Sequence, residues 1–146
     1  MVKEKKDADI TGRDGSYNYH DTGVFVVYAG VGIQKVEESN GAILHEMSLL
    51  TKEKVTSEEL IKGKEYIKGR LSLSLEDSQE VAQMYGLREL LEKRMVTVEE
   101  VISLVERVTR EDILRVAKRL FRTEKLNLSV IGPFGDPGHF LKLLKV

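Results

Sequence analysis

A helix-rich α+β fold, a two-layer domain with a partial β-sheet backed by helices, is predicted by three observations in the sequence. Both prolines lie in the run IGPFGDPGHF, so residues 1–132 are free of the strongest helix breaker. One helix-start code occurs three times, at VTSEEL (55–60), VTVEEV (96–101) and VTREDI (108–113). In each, threonine can accept a free backbone N–H as N-cap, an acid three residues later can return the bond, and flanking aliphatics can staple the turn. Finally, β-branched and aromatic residues crowd VFVVY (24–28), and LNLSVI (126–131) reads as a last strand.

The size of the chain fits one domain. Its 146 residues, 41% apolar, are enough to bury roughly two thirds of the extended surface. The absence of cysteine excludes thiolate nucleophiles, CxxC redox pairs, iron–sulfur clusters and thiolate zinc sites. With 23 basic and 24 acidic residues the formal charge is −1, which gives no global attraction to nucleic acid or an anionic membrane. No apolar stretch approaches the about 18 residues of a membrane span, and MVKEKKDADI has no apolar core of an export signal. The expectation is a soluble protein, cytoplasmic by default, that engages neither nucleic acid nor membrane.

Residues 1–16 are charged, contain an Asp-Gly dipeptide and read as a flexible polar lead-in. The domain is expected over 17–134. It begins with a short strand near Tyr17 and Tyr19, a turn at Asp21-Thr22-Gly23, and a second strand over 24–29. The second strand shows little polar alternation, which predicts cover on both faces. Gly30 and Gly32 end it; GVG lacks the remainder of a dinucleotide or phosphate loop.

A helix is predicted over 34–51, burying Val36, Ile43, Leu44, Met47 and Leu50. The next starts near Ser57 and buries Leu60, Ile67 and Leu71. LSLSL (71–75) alternates with period two and is compatible with a strand, but helical text on both sides favours a helix. Helical text continues over 76–91, with Val81, Met84, Tyr85, Leu87 and Leu91 available to a core. Two shorter helices follow, over 98–107 with Val101, Ile102 and Val105 inward, and over 110–121 with Ile113, Ala117, Leu120 and Phe121 inward. Arg115, Lys118, Arg119 and Arg122 share one solvated face, with acids nearby and no base-stacking aromatics, so a charged helix face is favoured over a nucleic-acid patch. Residues 135–146 form a short amphipathic tail that either closes the core or offers an edge to a partner. Three strands are few for a sheet with a central member, which predicts completion by a second copy, another chain or a removed N-terminal part.

Catalytic chemistry is sparse. His45-Glu46 begins HExxH, but position 49 is Leu, and His20 and His139 are isolated in sequence. The pairs Glu58-Glu59, Glu76-Asp77, Glu99-Glu100 and Glu111-Asp112 stand at helix starts, where capping and the helix dipole account for them. Ser72, Ser74 and Ser78 have no nucleophile-elbow context. No catalytic, cofactor-binding or metal-binding residue is assigned.

The order of HDTGVFVVYAG, the LSLEDS junction, the YG element, VTREDILRVAKRLF and a strand ending VIGP resembles the later portion of a repeat domain in the insulinase, pitrilysin and mitochondrial-processing-peptidase family of zinc peptidases. The resemblance covers 17–134. It implies a larger domain, a mixed sheet backed by helices, with two or four such domains enclosing a peptide in a clamshell. It also implies zinc held by an inverted HxxEH motif and a downstream glutamate. HxxEH is absent here, so neither Glu76 nor Glu80 is assigned as a ligand, and TGRDGSYNY does not match the family's peptide-positioning Arg/Tyr motif closely enough to assign Arg13 or Tyr17. Zinc is then implied only for a catalytic domain elsewhere. The resemblance favours a noncatalytic structural or peptide-enclosing portion of such a peptidase, inactive by itself. The alternative is a free-standing interaction module that self-associates or binds a peptidase-like partner. The expected partners are a second copy or the missing peptidase domain, with a peptide in the full assembly.

Overall fold

The computed structural model describes residues 11–19, 21–93 and 95–146. Two strands come first, β1 (Thr11–Asn18) and β2 (Gly23–Gly30), then six helices: α1 (Val36–Lys52), α2 (Ser57–Ser74), α3 (Ser78–Glu92), α4 (Val98–Arg107), α5 (Arg110–Leu120) and α6 (Pro137–Leu143). Short 3-10 turns at Ile33–Lys35 and Thr123–Lys125 lead into α1 and follow α5. The chain divides into two compact units, one of residues 11–17, 24–54 and 114–146 and one of residues 18–23 and 55–113.

In the first unit, β1 and β2 pair as a two-stranded sheet. The connecting turn, whose residues fall in the second unit, is closed by the Tyr19 N–H donating to the Thr22 carbonyl at 2.8 Å. β1 starts at Thr11, earlier than the strand expected near Tyr17: β2 offers a ladder partner, and that outweighs the local turn preference of Asp14-Gly15. β2 is not the doubly covered central strand its composition predicts. Val26 and Val27 are half-buried, while Val24, Phe25 and Tyr28 remain exposed at 47%, 37% and 55%. Phe25 nevertheless meets Phe121 edge to face, with ring centroids 5.3 Å apart. The apolar text registers what the strand needs to be covered, and the described residues supply only part of it.

The α1 stripe matches the periodicity. Leu44 is buried, and Val36, Ile43, Met47 and Leu50 are half-buried. Glu37 and Glu38 stand in its first turn, favourable to the helix dipole, and Lys52 closes the last turn with its Nζ donating to Ser48 Oγ at 2.6 Å. The amphipathic tail is α6. Asp136 caps it by accepting the Gly138 N–H at 2.8 Å, Pro137 fits its first turn, and the helix packs against α1. Residues 126–131, expected as the last strand, form no strand among the described residues. Leu126 has extended dihedrals (φ −74°, ψ 136°), but a strand requires a hydrogen-bonded neighbour as well as an extended backbone.

In the second unit all three threonine caps form. Thr56 Oγ1 accepts the Glu59 N–H at 3.1 Å and Glu59 Oε2 accepts the Thr56 N–H at 2.8 Å. Thr97 and Glu100 repeat the exchange at 3.2 and 3.1 Å, and Thr109 and Asp112 at 3.1 Å in both directions. Val96, just ahead of its cap, is buried at 5% exposure. LSLSL stays helical through Ser74. The helix then breaks at Leu75-Glu76-Asp77 because the Asp77 carboxylate takes the Gln79 N–H at 2.8 Å and caps a new helix, so the run over 76–91 is a separate element.

Three expected core positions are corrected. Ile67 is 48% exposed, Leu87 47% and Leu120 43%. On α2 the covered stripe runs instead through Leu60, Lys64, Lys68 and Leu71, because the facing surface of α4 offers Glu106 to the two lysines. The Leu91 side chain lies outside the described residues.

Candidate functional site

The first unit presents a concavity along the unpaired 126–131 segment, lined by leucine, valine and phenylalanine together with Asn127 and Ser129. A groove of about 600 Å³ runs between residues 126–130 and α6. Leu126, Leu128 and Val130 line it from the extended side; Phe140 and Leu144 line it from the helix and the residue that ends it. Phe134 braces one end, meeting Phe140 edge to face at 5.2 Å. The Gly132 position carries no side chain because a Cβ there would strike the Phe134 ring. The tail is secured by Thr123, whose hydroxyl accepts the Val146 N–H at 3.3 Å. A 126–131 segment without a strand neighbour among the described residues, beside a groove, suits this surface to an added β-strand held by main-chain hydrogen bonds. β2 adds further exposed apolar surface in the same unit.

The second unit contains a charged cluster. From α2, Lys64 Nζ donates to the Glu106 carbonyl and Lys68 Nζ donates to Glu106 Oε1, both at 2.6 Å. The hydrogen bond from Lys68 holds the Glu106 carboxyl below its ordinary range. Its counterpart, Lys68, is held above the ordinary lysine value by Glu106 first and Glu65 second. Every group in the cluster has a charge partner and the cluster clamps α4 to α2, a structural arrangement that places no base beside a nucleophile. Arg110 adds a further tie by donating its Nε–H to the Val55 carbonyl.

His45 stands exposed on α1, and Glu46 beside it is exposed too. Among the described residues, no group of three or more His, Cys, Asp or Glu side chains converges to hold a metal ion. Glu76 and Glu80 are exposed at the α2–α3 junction and the start of α3. Ser72 and Ser74 donate back to the carbonyls of Lys68 and Leu71, as helical serines do. Met84 and Tyr85 are half-buried on α3, consistent with packing. Arg115, Lys118, Arg119 and Arg122 are exposed, and Arg122 pairs with Glu124. Tyr17 is 48% exposed on β1. His20 and the side chains of Arg13 and His139 lie outside the described residues. No described helix is long and apolar enough to cross a membrane. The groove is the feature sequence reasoning missed: its two sides lie apart in the chain, and only the alternation in LNLSVI and the phenylalanines Phe134 and Phe140 hinted at it.

No family model matches the chain. It is 33% identical over 124 residues to the uncharacterized zinc protease YmxG of Bacillus subtilis, an alignment covering 82% of this chain and 30% of that protein. It is 26% identical over 119 residues to a probable mitochondrial-processing peptidase subunit beta of Arabidopsis thaliana, covering 82% of this chain and 22% of the other. Among solved structures, a chain of complex III2 from Candida albicans superposes with a TM-score of 0.71 at 19% identity, over 77% of this chain and 27% of that one. The chain thus spans less than a third of the length of these relatives.

Proposed function

From the homology to insulinase-type zinc proteases that runs over most of its length, we propose that this chain is a noncatalytic structural portion of such a protease. It supplies helices and part of a sheet to a peptide-enclosing wall and does not hydrolyse peptides by itself. One observation carries the reading: the alignment takes in 82% of this chain while its sequence contains no HxxEH. What this chain shares with the zinc proteases is read as scaffold, since the HxxEH motif that supplies the family's histidine ligands and water-activating glutamate is absent from these 146 positions. Zinc chemistry in the full assembly belongs to an HxxEH-bearing domain, which we take to be one natural partner.

The purified chain tests this directly. After dialysis into trace zinc it should retain far less than one zinc per chain and leave a mixed peptide library uncut. One tightly held zinc per chain together with reproducible cleavage would overturn the reading.

A second reading, self-association, is favoured by the same unit's incomplete sheet. β2 has one strand neighbour among the described residues, and 126–131 has none. Strand edges of this kind are ordinarily covered or paired. In a free-standing chain a second copy is the simplest way to cover them, since twofold pairing lets each copy supply the same surface. In this reading the chain acts as an interaction module. Mixing experiments separate the two: an HxxEH-bearing chain that displaces self-association supports the first, and a dimer indifferent to it supports the second.

A further inference from the structure

We draw no further inference here: the strongest candidate, the apolar groove between the extended 126–130 segment and α6, belongs to the site already described, and nothing in the structure shows what covers it.

Discussion

Individual threonines fix where α2, α4 and α5 begin. Thr109 Oγ1 accepts the Asp112 N–H and donates to Asp112 Oδ2, so Thr109→Ala removes the cap and leaves the Asp112 N–H to water while the Thr109 backbone N–H bond to the carboxylate can persist. The expected cost is about 0.5–2 kcal/mol in chemical denaturation. Ser129→Ala, at an exposed position outside any helix, serves as the comparison and should cost much less. An unchanged Thr109→Ala variant would mean that water or a neighbour replaces the bond fully. At Gly132 the constraint is steric. Alanine there must push the Phe134 ring aside and loosen its edge contact with Phe140, worth about 0.5–1.5 kcal/mol. The loss should shrink when Gly132→Ala is made in a Phe140→Ala background. Equal losses in both backgrounds would show that the aromatic contact is not what the glycine protects.

Between elements, the α2–α4 clamp makes stability depend on pH in a defined sense. Glu106 is held below the usual carboxylate value of about 4.3, so its contribution is complete above that value and disappears as pH falls through the lower native one. Lys68 is raised above about 10.4, so its contribution is complete below that value and is lost as pH rises through the native one. Glu106 is about half exposed and Lys68 partly covered, so the pair still reaches solvent and salt screens it. A Glu106→Gln variant should therefore show a shallower loss of stability on the acid side than the parent, with the difference fading in 1 M salt, a concentration at which screening acts within about 3 Å. Parallel curves at low salt would contradict the clamp. The same elements show what sequence carries. The three capping boxes are legible because every atom involved lies within four residues, and the α1 stripe is legible because period 3.6 is written in Val36, Ile43, Leu44, Met47 and Leu50. The exposure of Ile67 is not legible, because Glu106, distant in sequence, draws Lys64 and Lys68 onto the covered side. The unpaired state of LNLSVI is not legible for a related reason. Its side chains alternate as a strand's do, but pairing depends on a neighbour that local sequence does not specify.

Proposed as a noncatalytic scaffold, the whole molecule has strand positions that are completed from outside. Family resemblance was legible in the order of several short motifs, although no catalytic signature accompanied them, and the comparisons bear it out. The groove was not legible because 126–130 and α6 meet only in the fold. The most direct test of completion from outside is backbone amide exchange over residues 24–29 and 126–131, followed with mass by light scattering across a concentration series, alone and with an HxxEH-bearing chain. The account predicts weak protection of 126–131 in the dilute monomer and strong protection once a dimer or the mixed complex forms. A chain that stays monomeric alone and in the mixture, with both segments already protected when dilute, would contradict it.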